Sequence, residues 1–246
     1  NVIKFGENIT KIKNKIKITL SSSKYWTKDR IITLILRIIS ICYFRIGNVK
    51  YEKLYSSHGI STIGTKHIKI KKGSIHFNFI GKKGVINECI VIDPLTRDYI
   101  MHLVKTHTER GQTPSNHLFQ YIDLATNEWK HIKHTEINNW LKEFNQVFTS
   151  KLFRTYDTNI LLVHRLKNGE SKTSKERKKT AIRALKEVSV IVHNTPAICK
   201  KDYADPELIK LYLEHPRKFS EYFKSPDDNG MYHSSFINWL KKTKKC

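Results

Sequence analysis

The sequence is short of acid, glycine, proline and cysteine, and it has no long uninterrupted apolar run. Only 22 Asp and Glu stand against 45 Lys and Arg. So few carboxylates, and scattered ones, give little support to a two-metal nuclease, which needs clustered acids to hold its ions. Of the ten glycines, Gly47 and Gly59 stand isolated, outside any glycine-rich phosphate-binding pattern. The four cysteines, Cys42, Cys89, Cys199 and Cys246, lie far apart with no CxxC pair. Neither a disulfide framework nor a zinc site is expected from that spacing, and an intracellular, reducing compartment fits it. The start has no apolar signal-peptide core. The longest apolar stretch, Ile31 to Ile46, is interrupted by Thr33, Arg37, Ser40 and Arg45 and is too short to span a bilayer. No Walker loop, dinucleotide fingerprint or HExxH motif is present.

What is there is charge and a core. The chain has 246 residues and a formal net charge of +23; 39% of its residues are hydrophobic and 11% aromatic. That is too apolar for a disordered chain and enough for one large domain or two small ones. The basic excess predicts a polyanionic partner, nucleic acid before membrane surface or acidic protein. Ile, Lys and Asn are abundant, as in proteins of A/T-rich genomes, and Asn1 in place of Met suggests a fragment.

The patterning predicts a mostly helical α+β fold. Residues 1–20 are basic and weakly patterned and read as a linker segment, with a catalytic domain over 21–246. Thr27 or Asp29 caps a helix through Ile31, Leu34, Ile35, Ile38, Ile39 and Cys42, ending near Tyr43 to Gly47. Alternation at 67–71, 75–79 and 87–92, with turns at Lys72-Gly73 and Gly81-Lys82-Lys83-Gly84, predicts one three-stranded antiparallel sheet. Helices are expected after Asp93-Pro94, from Thr135-Glu136, over 149–164, and through Ala181, Leu185 and Val188. In the tail, Asp205-Pro206 is an N-cap pair, and Phe236, Ile237 and Leu240 form an apolar stripe.

The chemistry-bearing residues left are cations and tyrosines. Phosphodiester transfer without a metal needs a nucleophile, cations for the charge growing on the non-bridging oxygens, and an acid for the leaving oxygen. Four segments carry these: Phe44-Arg45-Ile46-Gly47-Asn48-Val49-Lys50-Tyr51, followed by Ser57-His58-Gly59-Ile60-Ser61-Thr62-Ile63 and His67; Phe79-Ile80-Gly81-Lys82-Lys83-Gly84-Val85; Lys151-Leu152-Phe153-Arg154-Thr155-Tyr156; and Asn194-Thr195-Pro196-Ala197-Ile198-Cys199-Lys200-Lys201-Asp202-Tyr203. Taken singly, each has an ordinary reading: a hairpin turn, a helix-end cation, a part-buried ion pair, a staple on the next helix.

In this order the four segments resemble type IB DNA topoisomerases, particularly the compact poxvirus, giant-virus and bacterial forms, and Phe5-Gly6 with the basic stretch after it resembles the opening of the bacterial and giant-virus catalytic domain. The resemblance implies the catalytic fold shared with tyrosine recombinases, and residue roles. Arg45 and Arg154 match the two catalytic arginines, Lys82 the catalytic lysine on a hairpin turn, and Tyr203 the nucleophile. The fifth position, usually His, is Asn194 here, as in bacterial-type members; His193 beside it is not assigned. Lys83, Lys151, Lys200 and Lys201 are expected to contact DNA. The implied activity is relaxation of supercoiled duplex DNA through a 3′-phosphotyrosyl intermediate, without metal, ATP or other cofactor, by a monomer that touches no membrane. The expected location is intracellular: virion or host cell for a viral protein, nucleus or nucleoid otherwise. The family's N-terminal DNA-clamping domain is expected to be missing. A tyrosine recombinase is the alternative, but it usually carries His-x-x-Arg where this chain has Lys151 before Arg154. A basic module that binds DNA without catalysis is the third reading, against which the intact set of Arg45, Lys82, Arg154 and Tyr203 argues.

Overall fold

The computed structural model describes residues 1–22, 25–169, 171 and 173–244; Cys246 lies outside them. The chain divides into two compact units, one formed by Thr10–Lys151 and the other by Asn1–Ile9 with Leu152–Cys246. Among the described residues no helix is long and apolar enough to cross a membrane.

Helix α1 (Val2–Ser21) replaces the weakly patterned segment expected at the start. Phe5, Ile9, Ile12, Ile16 and Leu20 are all buried, and their spacing of three and four places them on one helical face. The interleaved Lys and Asn residues obscure that stripe.

In the Thr10–Lys151 unit, α2 (Lys28–Cys42) begins where the Thr27 side chain accepts from Arg30 N–H, as the sequence predicts. Ten of its residues are buried, so it is the central strut of the unit. Buried Arg30 donates from Nε to the Leu20 carbonyl at 3.2 Å and lies over the Trp26 ring at 4.5 Å. Its charge thereby caps the open end of α1. Helix α3 (Val49–Tyr55), which the sequence reading missed, is short and has no buried residue.

Strands β1 (Ile68–Lys71), β2 (Ser74–Ile80) and β3 (Ile86–Val91) form the expected antiparallel sheet in the order β1-β2-β3. Ile75, Phe77, Phe79 and Val91 are buried, while Ile80, Ile86 and Ile90 are exposed, the alternation of a half-covered sheet. Helix α4 (Pro94–Glu109) follows its Asp93 cap. Strands β4 (Gln120–Asp123) and β5 (Glu128–His131) add a second, two-stranded sheet. The expected fold held only one sheet; these strands are four residues each and mostly polar, so they carry almost no alternation to read. Helix α5 (His134–Lys142) buries Ile137, Trp140 and Leu141.

The structure also overturns the reading of the cysteines. Cys42, at the end of α2, and Cys89, in β3, are joined in a disulfide with Cα atoms 5.6 Å apart. They are 47 residues apart in sequence, and the register of a sheet against a helix cannot be read from a one-dimensional spacing.

The second unit contains α6 from Leu152 onward (the helix is Lys151–Lys167), α7 (Ser174–Ile191), α8 (Pro196–Asp202), α9 (Pro206–Glu214), α10 (Pro216–Tyr222) and α11 (His233–Thr243). Its core is aromatic: Phe5 meets Phe153 edge-on at 4.9 Å, and Phe223 and Phe236 pack on Trp239 at 6.2 and 5.8 Å. A Cβ on Gly6 would fall 2.0 Å from Ile237 Cδ1 and 2.7 Å from Tyr156, so α1 reaches this core only because residue 6 has no side chain.

Candidate active site

Arg45, Lys82, Lys83 and Lys151 belong to the Thr10–Lys151 unit; Arg154, Asn194, Lys200, Lys201 and Tyr203 belong to the other.

In the first unit, α2 stops because Tyr43 turns left-handed (φ 56°) while its N–H still reaches the Ile39 carbonyl. The chain then lays Phe44 against Phe77 and Phe79, with ring centroids at 5.6 and 4.8 Å. Arg45 follows, half-buried. Its carbonyl accepts from Ile60 N–H at 2.9 Å, and the Ile46 carbonyl accepts from Ser61 N–H at 2.8 Å. Two glycines permit this return. Gly47 has φ +91°, and a Cβ on Gly59 would sit 2.3 Å from Gly47 N and 2.7 Å from the Arg45 carbonyl oxygen. The glycines of the Arg45 motif are therefore steric requirements of the backbone that presents Arg45.

Lys82 is exposed in a single 3₁₀ turn, Lys82–Gly84, between β2 and β3. The turn closes with Gly81 N–H on the Val85 carbonyl at 2.8 Å, and Lys83 and Gly84 both take positive φ. Buried Asn87 donates to the same Val85 carbonyl at 2.8 Å, and a Cβ on Gly81 would come within 2.2 Å of that amide nitrogen. Asn87 thus braces the turn from below. The disulfide, the Phe44 contacts and a hydrogen bond from His58 N–H to the Ile80 carbonyl at 2.8 Å tie the Arg45 segment to the sheet that carries Lys82. Lys151, at the start of α6, is exposed.

In the second unit, Arg154 is only 2% exposed on the inner face of α6. Its Nη2 donates to the Val192 carbonyl at 2.5 Å, and the Asn194 side-chain amide donates to the same oxygen at 3.4 Å. The guanidinium lies 5.1 Å from the centroid of the Tyr203 ring. Arg154, Asn194 and Tyr203, drawn from three separate stretches of sequence, are thus gathered at one place within this unit. His193 takes φ 52°, a left-handed turn after α7, and Asn194 N–H bonds the Ser189 carbonyl. Thr195 and Pro196 start α8, and Tyr203 ends it as its C-cap. Lys200 and Lys201 are exposed on the last turn of α8.

Two other buried nucleophiles of this unit, Tyr156 and Cys199, are suppressed. Burial, with the Asp157 and Asp227 carboxylates, pushes the Tyr156 phenol well above its ordinary range. Burial also pushes the Cys199 thiol up to about 11 against the opposing pull of Arg154, so both stay protonated.

Sequence reasoning missed Asn159. Its amide nitrogen donates to the Tyr203 carbonyl at 2.9 Å and to the Thr155 carbonyl at 2.8 Å, and its Oδ1 accepts from Asp205 N–H at 2.7 Å. It fixes the backbone on both sides of the Tyr203–Ala204 step. The signal was a run of polar residues, Asp157, Thr158 and Asn159, on a helix whose neighbours are core; all three are buried.

Residues 1–224 match the family described as eukaryotic DNA topoisomerase I, catalytic core. The chain is 29% identical over 226 residues to DNA topoisomerase 1B of Acanthamoeba polyphaga mimivirus, covering 89% of this chain and 65% of that protein. It is 23% identical over 202 residues to DNA topoisomerase I of Monkeypox virus, covering 81% and 58%. It is 24% identical over 233 residues to DNA topoisomerase 1 alpha of Arabidopsis thaliana, covering 92% of this chain and 24% of the plant protein. The chain thus spans less than two thirds of the length of these relatives. A match that runs through all four motif segments settles the kinship: this chain belongs to the eukaryotic DNA topoisomerase I catalytic-core family, of type IB.

Proposed function

We propose that this chain is the catalytic domain of a type IB topoisomerase, acting as a monomer on duplex DNA with the tyrosine recombinase/type IB catalytic fold. The observation that carries the reading is that Arg154 and Asn194 share the Val192 carbonyl while the Arg154 guanidinium lies over the Tyr203 ring.

The chemistry follows from the residue types. Tyr203 Oη attacks the phosphorus of one strand, forming the P–Oη bond as the P–O5′ bond breaks. The product is a 3′-phosphotyrosyl ester and a 5′-hydroxyl. Lys82, an ammonium on a braced turn, supplies the proton to O5′. A free phenol has a pKa of about 10, so cations must favour its phenolate as the bond forms; the phenol proton passes to water, and Lys82 regains its own from water after the transfer. Arg45 and Arg154 take the non-bridging oxygens, to which planar guanidinium forks are matched. Asn194 adds one neutral donor and, unlike His, carries no charge there. The ester keeps the energy of the broken bond, so attack by the 5′-hydroxyl reseals the strand without ATP. Lys83, Lys151, Lys200 and Lys201 hold the flanking phosphates.

The test is relaxation of negatively supercoiled plasmid by the purified chain in EDTA without nucleotide. Relaxation that Tyr203→Phe abolishes is expected. A chain that binds the plasmid but never changes its linking number contradicts the proposal, and a recombinase would act only on paired sites.

A further inference from the structure

The first unit holds a group of side chains for which the proposed reaction has no use. The large apolar residues of α3 are in solvent: Tyr51, Leu54 and Tyr55 are 56, 61 and 67% exposed. Of its charged residues only Glu52 is drawn in. Glu52 Oε2 lies 2.7 Å from His117 Nε2, and Oε1 lies 3.3 Å from His58 Nδ1. The side chains of Glu52, His117 and His58 are 19, 22 and 15% exposed, so this is not a loose surface pair. The Thr62 carbonyl is 3.0 Å from the same His58 Nδ1. Both of these neighbours of Nδ1 are acceptors, so that nitrogen carries a proton and donates it; His117 Nε2 donates likewise to the carboxylate.

His58 sits at a junction. Its backbone N–H bonds the Ile80 carbonyl, two residues before Lys82. The next residue, Gly59, lies against Gly47 and the Arg45 carbonyl. The segment bearing Arg45 and the strand bearing Lys82 therefore meet at His58. The surrounding imidazoles do not compete for Glu52. His67, 4.5 Å from His58 ring to ring, accepts at Nδ1 from Gly64 N–H; burial first, then the nearby His58 and Lys66, hold it neutral with a pKa of about 4. His131, 4.3 Å from His117, is likewise held at about 4, chiefly by burial. Among the described residues no three His, Cys, Asp or Glu side chains are disposed to hold a metal ion.

We propose that Glu52, acting through His117 and His58, is a positioning residue for Arg45 and Lys82. The inference rests on the reading that these two cations serve strand cleavage. His117 anchors the carboxylate, the carboxylate and the Thr62 carbonyl lock the His58 ring, and the locked His58 fixes the junction between the two arms. Misplacement of a reacting group by about 1 Å costs on the order of 100-fold in rate, so slack at this junction reaches the chemistry without any contact of Glu52 or His58 with DNA being needed.

The experiment is plasmid relaxation with enzyme in excess, alongside plasmid affinity and thermal melting. The variants are Glu52→Ala, Glu52→Gln, His58→Ala and the double Glu52→Ala/His58→Ala, with Arg45→Ala and Lys82→Ala as references. Glu52→Ala and His58→Ala are each expected to slow relaxation about 10-fold at saturation with affinity within about twofold, and the double variant to be no slower than either single one. Glu52→Gln keeps one acceptor oxygen for an imidazole N–H, so it recovers part of the rate, which separates positioning from folding. Wild-type rates for Glu52→Ala, defects that multiply in the double variant, or a Glu52→Gln protein no better than Glu52→Ala would overturn the proposal. If Arg45→Ala and Lys82→Ala are inactive while Glu52→Ala is unimpaired, only the positioning role falls. If those two references also relax at full rate, the reading of the site falls with it.

Discussion

Opening the Cys42–Cys89 disulfide removes the one covalent constraint described between α2 and the sheet. The bond spans 47 residues. In the chain-entropy treatment, closing a loop of that length costs the unfolded chain about 14 cal/mol/K, or about 4 kcal/mol at 25 °C. Cys42 is 2% exposed among the core residues of α2 and Cys89 is half-buried in β3, so both side chains can keep their packing after reduction and the loss falls mostly on the unfolded state. For a chain of this size 1 kcal/mol moves the melting temperature by about 2–4 °C, so a drop of roughly 8–16 °C is expected. The assay is a thermal melt of oxidised and reduced protein, with Cys89→Ala as a variant insensitive to reductant. Thiol counting in denaturant gives the matching chemical readout: reductant releases two further reactive thiols, those of Cys42 and Cys89. Four reactive thiols in air-equilibrated protein, or melting curves that coincide within about 2 °C, would refute the reasoning.

Asn159→Ala removes the partners of the Tyr203 carbonyl and the Asp205 N–H; it should destabilise by about 1–3 kcal/mol and slow cleavage, and unchanged urea midpoint and rate would count against its role. His67 and His131 have folded pKa values of about 4, against 6.5 for the free side chain. The unfolded chain therefore takes up protons first, and stability should fall as pH drops from about 6.5 towards 4, by on the order of 1 kcal/mol for each residue after screening; a melting temperature flat over pH 7 to 4.5 contradicts this. With a formal charge of +23, DNA affinity should fall steeply with salt, and a log–log slope near zero would exclude phosphate contacts as its source. Lys82→Ala should slow cleavage by about 10²–10⁴ on ordinary DNA and recover on DNA with a 5′-bridging sulfur, whose thiolate leaves without a proton, while Arg154→Ala recovers far less; equal Lys82→Ala defects on both substrates would remove Lys82 from the acid role.

Where the sequence speaks through periodicity, it speaks clearly. The apolar run of α2, the alternation of β1 to β3 and the Asp205-Pro206 cap of α9 all emerge where the patterns place them. The four motif segments were legible because each is local. What escaped is either too short or not local. Helix α3 buries nothing and so shows no stripe; β4 and β5 are polar and four residues long. The stripe of α1 is diluted by lysines. The disulfide, the Asn159 bridge and the shared Val192 carbonyl join residues 47, 44 and 38 positions apart, and no one-dimensional pattern encodes such pairs. Gly47 and Gly59 are distant in sequence, yet their backbones are packed back to back.

The central claim is that Tyr203 forms the covalent bond to DNA. The direct measurement is to trap the protein on duplex DNA with denaturant, digest both components, and identify the tyrosine that retains a nucleotide. The account expects a single modified peptide containing Tyr203, linked to a 3′-phosphate, and none from Tyr203→Phe. A nucleotide on Tyr156, Tyr212 or any other tyrosine, or an adduct that persists in Tyr203→Phe, would contradict it.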